Sequence, residues 1–247
     1  MKNTKAIFFK QFQSLVRSPG MIVQAVLFLV LVIVMSFLIR GHEETDCETC
    51  IPAYECAQCI EDNAHTNTPE PSLTGLFTVM FVGFVMIGAA AALVNEDKTT
   101  KNLRFMAMAD VKPWQYMIGT LASMILLAIG ILVLYALVGR YFGIQMLWFV
   151  AATASGAVVS IILGLTVGLS KVPGIATILS LVLGLGPMLS GFNDALAEIL
   201  RFTYTQQVNL AISDLNGDMT SNFIIIGANG AVILLLFIWT HRKGVLG

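Results

Sequence analysis

The chain has 247 residues, 57% of them hydrophobic and only 12% charged, with a formal net charge of -1 and a mean hydropathy of +0.82. Soluble domains carry roughly 25% charged residues, so a soluble enzyme is excluded, and the dispersed basic residues exclude nucleic-acid binding. What remains is an all-α integral membrane protein whose single transmembrane domain takes up residues 1–247.

In chain order, residues 1–19 come first. Ile7, Phe8, Phe9, Phe12, Leu15 and Val16 supply apolar content, and Lys2, Lys5, Lys10 and Arg17 can reach lipid headgroups. This is the pattern of an amphipathic helix lying at the interface. Six uncharged apolar runs follow, at 20–39, 73–94, 114–139, 147–169, 172–191 and 222–240. Each approaches the roughly 20 residues that a helix needs to cross a bilayer. The first run has neither the short core nor the cleavage site of a signal peptide, so it is expected to stay in the membrane.

Six spans place both termini on one side. Lys2, Lys5, Lys10, Arg17, Lys98, Lys101, Arg104, Lys112, Lys171, Arg242 and Lys243 then share that side, leaving Arg40, Arg140 and Arg201 for the other. The positive-inside rule makes the first side cytosolic. Only Glu96, Asp97 and Asp110 among the acids fall there.

The loop at 40–72 is therefore expected to be extracytoplasmic. It is acidic and holds all the cysteines of the chain, Cys47, Cys50, Cys56 and Cys59, in "CETCIPAYECAQC". In an oxidising compartment a close, even set is read as disulfides. Three pairings are possible, and a nested one suits a hairpin turning at "IPAY". Four thiolates on zinc are the alternative, although the gap between the two CxxC pairs is short for a structural zinc module.

No Asp, Glu, Lys, Arg or His lies inside the six runs, which argues against proton relays and ion coupling. Neutral polar positions such as Gln24, Thr177, Ser180 and Asn229 are read as helix-packing hydrogen bonds. Gly83–Leu93 and the Gly164/Gly168 pair are small-residue surfaces suited to close helix approach. There is no GxxxxGK[ST], GxSxG or HExxH, and the three histidines are scattered. No catalytic residue and no metal site follows, so energy for uphill transport must come from another chain.

The one sizeable inner loop, 95–113, reads "NEDKTTKNLRFMAMADVKP" and mixes charges with Leu103, Phe105, Met106 and Met108. Such an exposed apolar set suits docking into a partner's groove. The loop resembles the coupling region of ABC-2 type ABC exporter permeases, in which an acidic residue precedes a short amphipathic helix and a "GK" opens the next span. Glu96 matches the acid, "KNLRFM" the coupling-helix core and Gly119-Thr120 the closing pair. Lys101-Asn102 replace the usual Gly-Thr, Asp110 stands where Gly or Pro is usual, and Thr120 replaces Lys.

The resemblance extends to the segment after the fifth run. There Gly184, Gly186, Pro187 and Gly191 are expected to break the helix near its outer end and act as an outer gate. Residues 192–221 are expected to form re-entrant or amphipathic outer helices between spans five and six. An ordinary helix resting on the outer leaflet is the alternative.

The resemblance implies a multi-pass permease of a plasma membrane, in the compact format of prokaryotic systems. It implies contacts to the ATPase from Glu96, Lys101, Leu103, Arg104, Phe105 and Met106. The implied partners are two ABC ATPase subunits, a second permease copy or a paralogous chain, and membrane lipid. ATP and Mg would be held by the ATPases, with no cofactor on this chain. The cargo implied is hydrophobic or amphipathic: a peptide, a lipid-linked molecule or a drug. Two rivals are a non-transporting sensor or assembly subunit, whose cysteine loop binds metal or a redox partner, and a passive channel. The channel is disfavoured because no span offers a ring of charges or a filter sequence.

Overall fold

A computed structural model describes residues 2–17, 23–24, 26–34, 73–102, 108, 112–170, 174–190, 194–215, 217 and 219–245. All regular structure among them is helical. The elements are α1 (Lys2–Arg17), α2 (Leu73–Met80), a π-helical segment (Phe81–Val85), α3 (Met86–Thr99), α4 (Pro113–Val138), α5 (Ile144–Leu169), α6 (Ile175–Ser190), α7 (Asp194–Leu200), α8 (Tyr204–Ser213) and α9 (Thr220–Val245). Four stretches are long and apolar enough to cross a membrane: Thr74–Thr99, Trp114–Val138, Ile144–Leu169 and Thr220–Thr240. The fifth expected span is the shorter helix Ile175–Ser190. Of the first, 23–24 and 26–34 are helical, and both of its ends lie outside the described residues.

α5 is the axis of the bundle, packed against α3, α4, α8 and α9. Small residues on one face make this possible. A Cβ built on Gly164 would sit 2.5 Å from the Ile87 carbonyl oxygen, and one on Gly168 would sit 2.9 Å from the Val94 Cβ. In lipid, where apolar tails compete with side chains, such close backbone approach is a principal source of helix association.

A second close approach joins the π-helical segment to α6. A Cβ on Gly83 would come within 2.8 Å of the Gly184 Cα and 2.9 Å of the Leu183 carbonyl oxygen. Pro187 removes the N–H that would otherwise bond that carbonyl. Contrary to the sequence expectation, Gly184, Gly186 and Pro187 do not break the helix. α6 runs through them to Ser190, because Gly83 leaves room for the backbone at the crossing and Pro187 costs only one helical hydrogen bond. Gly191 lies outside the described residues.

After α6 the chain re-enters the bundle. α8 is enclosed by α2, α5, α6 and α9, and every residue from Tyr204 to Asn209 is buried. Its start is held deep, where the Tyr204 hydroxyl meets Ser160 Oγ at 2.8 Å. Farther along, Ala211 packs with Ala152 and Met219. A turn at this depth needs partners for its backbone carbonyls, and the side chains supply them. Leu200 O accepts from Thr203 Oγ1 at 2.6 Å, Arg201 O from Gln207 Nε2, and Phe202 O from Asn229 Nδ2 at 2.9 Å. Asn229 is the tenth residue of α9, about 14 Å from its start at 1.5 Å per residue, or roughly half of a 30 Å hydrocarbon core. The turn before α8 thus meets α9 in its first half, and the side chains of Arg201 and Phe202 there are exposed.

Gln207→Leu leaves the Arg201 carbonyl without its donor. An unpaired buried acceptor costs about 1–3 kcal/mol, so the thermal midpoint of the detergent-solubilised variant is expected to fall by several degrees. The exposed-site control Gln13→Leu should leave it unchanged.

Candidate functional site

α3 presents Ala90, Leu93 and Val94 to the core, and all three are buried. Helical spacing of three, four and seven residues carries that same face on to Asp97. Asp97 is accordingly only 4% exposed. It lies at the end of the bundle that the charge pattern assigns to the cytosol.

A buried carboxylate needs hydrogen-bond donors and an opposite charge. Asp97 has both, from three directions. Lys10 Nζ of α1 reaches Oδ1 at 3.0 Å, and Gln11 Nε2 of α1 reaches Oδ2 at 2.7 Å. Asn102 Nδ2, just past α3, donates to Oδ1 at 3.2 Å. The Tyr116 hydroxyl, in the first turn of α4, donates to Oδ2 at 2.9 Å. Each oxygen accepts two bonds, which fills the roughly four lone-pair positions of a carboxylate.

The amphipathic sequence of α1 serves this knot. Ile7, Gln11 and Leu15, one turn apart, are buried, and α1 lies along α4. Phe9 and Val16 remain exposed on the other side, as expected of a helix that also meets lipid. Next to Asp97 in sequence, Lys98 Nζ donates to the carbonyls of Gly168 and, at 3.1 Å, Ser170. It thereby caps α5, whose last carbonyls have no helical donors. The last turn of α3 is tied to α1, α4 and α5 together.

Immediately beyond, the chain turns sharply. Thr100 N donates to Glu96 O at 3.0 Å and Lys101 N to Lys98 O at 3.1 Å, and Lys101 takes a left-handed conformation with φ of 59°. Glycine is the usual residue at such a helix end. This gives a physical reason for the Gly of the exporter motif at this position and identifies what Lys101 gives up. Its side chain is exposed.

The other predicted residues divide. Glu96 is exposed and lies off the knot, beside a cavity of about 490 Å³ whose lining includes Ser14, Gln24, Phe84, Glu96 and Thr177. Leu103, Arg104, Phe105 and Met106 lie outside the described residues, as do Cys47, Cys50, Cys56 and Cys59, and no observation supports a disulfide among the cysteines. Among the described residues no group of three or more His, Cys, Asp or Glu is placed to hold a metal. Sequence reasoning missed Asp97, Gln11, Asn102 and Tyr116. The signal for Asp97 was its continuation of the buried face of α3; nothing in the sequence pointed to its donors.

Two substitutions separate these assignments. Asp97→Ala strands the buried donors of Gln11 and Tyr116, at about 1–3 kcal/mol each, and is expected to lower the thermal midpoint strongly; Glu96→Ala should leave it nearly unchanged. Lys101→Gly relieves a left-handed side chain worth about 1 kcal/mol and should raise the midpoint.

The sequence model of a family described as ABC-2 type transporter matches residues 2–205. No curated protein and no solved structure gives a match.

Proposed function

The chain belongs to the ABC-2 type transporter family, and from that premise we propose that it is the membrane permease subunit of an ATP-driven exporter for a hydrophobic or amphipathic cargo. Permease domains of this family are non-catalytic, and the ATPase is a separate subunit. The chain is a multi-pass membrane protein by family and by its apolar helices. In this reading two ATPase subunits serve it, together with a second permease copy or a paralogous chain, in a prokaryotic plasma membrane.

The observation that carries the reading is the Asp97 knot. Both stems of the 95–113 loop meet at one carboxylate, the outgoing stem through Asn102 and the returning stem through Tyr116. Lys10 and Gln11 add the entry helix to the same group. A partner pressing on Leu103, Arg104, Phe105 and Met106 would therefore move α3, α4 and α1 as one body. Lys101 precedes this segment, while Glu96 stands one residue before the knot. Soft loop stems would absorb such a push locally; the knot carries it into the helices.

At the far end, the buried helix α8 supports an outer gate. Gly184 and Pro187 of α6 contribute at its crossing with the π-helical segment, Gly186 packs beside Leu200, and Gly191 follows on the connection. Such a gate would open when α6 slides on Gly83.

Leu103→Asp places a charge in the docking segment. Transport and transport-linked ATP hydrolysis in the purified complex are expected to be lost, with membrane insertion and yield preserved. Normal transport by this variant would overturn the docking assignment.

A further inference from the structure

The cavity beside the knot bears on the chemistry of the cargo. Its volume of about 490 Å³ falls within the roughly 300–1,000 Å³ of small-molecule sites. α1, the helical stretch around Gln24, α3 and α6 form its walls.

Its lining has two characters. Ser14, Gln24, Asn95, Glu96 and Thr177 bring polar groups to it. Among the described residues no hydrogen bond engages the side chains of Gln24, Asn95 or Thr177. Phe84, Gly88 and Ala92 form an apolar slot on the adjoining wall. A Cβ added to Gly88 meets nothing within 4 Å, so the slot is open where a side chain would otherwise fill it.

Glu96 is the one ionisable residue in the lining. Its carboxylate has no ion-pair partner among the described residues. Lys98, two residues on, binds the end of α5, and Lys10 of α1 binds Asp97. The site therefore offers one uncompensated negative charge, neutral amides and hydroxyls, and an apolar slot. Among the described residues of its lining there is no cation to receive an anion.

We propose that this cavity binds an amphipathic ammonium compound, with the ammonium against Glu96 and the apolar body along Phe84, Gly88 and Ala92. The inference rests on the permease reading for its meaning as a cargo site, but its test reads binding rather than turnover. Two sources share this chemistry, a free amphipathic amine and the headgroup of phosphatidylethanolamine.

The intact complex, in nanodiscs of phosphatidylglycerol, is exposed to a dodecylammonium probe bearing a photoreactive diazirine, and crosslinked peptides are identified by mass spectrometry. Labelling is expected within 84–96 and 176–180, competed by dodecyltrimethylammonium and not by dodecyl sulfate. Glu96→Gln should weaken labelling about tenfold, the scale of one charge-assisted hydrogen bond, and Glu96→Asp should retain more of it than Glu96→Gln. Gly88→Leu fills the slot without a backbone clash and raises helix propensity, so it should abolish labelling in a folded protein.

Labelling indifferent to Glu96→Gln, surviving Gly88→Leu, or competed equally by dodecyl sulfate would overturn the proposal. Adding phosphatidylethanolamine to the nanodiscs separates the sources: suppressed labelling assigns the site to the lipid headgroup, and undiminished labelling assigns it to a free amine. Transport unaffected by Leu103→Asp would count against the coupling assignment and leave this result standing.

Discussion

A carboxylate removed from water must find donors wherever the chain can supply them, and Asp97 draws four, from α1, the loop stem and α4. Burial would otherwise cost several kcal/mol. The angle at which α1 enters, the direction in which the loop leaves and the seat of α4 are all conditions of that one satisfied group. Replacing the knot by apolar contacts could hold the helices as firmly. It would not fix the register in which three separate segments meet, because apolar surfaces slide and directed hydrogen bonds do not.

The same requirement governs the opposite side of the bundle in another form. The turn between α7 and α8 leaves peptide carbonyls outside the helical ladders, and they need other donors. Here Thr203, Gln207 and Asn229 serve them instead. The polar residues of "TYTQQVN" are thus structural, although the segment resembles a solvent-facing helix. Close contacts between small residues let the surrounding helices come near enough to enclose it. The Gly83–Gly184 crossing is notable because it pairs a π-helical turn, a feature often found at functional positions, with a helix softened by Pro187.

Much of the architecture was legible in the sequence. Apolar run length locates the helices, and the small residues of α3 and α5 foretell their contact. The fifth run, 172–191, contains the helix Ile175–Ser190. The choice of Glu96 over Asp97 had a different origin. A motif match compares residue types along a line, whereas burial depends on angle. Glu96 and Asp97, about 100° apart on the helix, face a cavity and the core respectively. The donors to Asp97 come from up to 87 positions away, and no local pattern encodes such a meeting. The reverse holds for Lys101. The departure from glycine was visible at once, and only the φ of 59° explains why glycine is the usual choice.

One turn of α3 therefore carries two differently directed faces. Asp97 binds it to the helices that receive force from the loop, and Glu96 turns toward the cavity. An element rigidly joined to α5 through Gly164 and Lys98 cannot rotate about its own axis without breaking those contacts. In the proposed reading, a push at the loop would be met by tilting α3 together with the helices it is tied to, α1, α4 and α5. Because the cavity lies between α3 and α6, such a tilt changes its width directly. Anything bound there would have unequal affinity for the two tilts and would bias the equilibrium at the loop in return. If the cavity holds cargo and the loop meets an ATPase, coupling between them would require no relay of side chains across the membrane, since the cavity wall and the pushed helix would be the same piece of backbone.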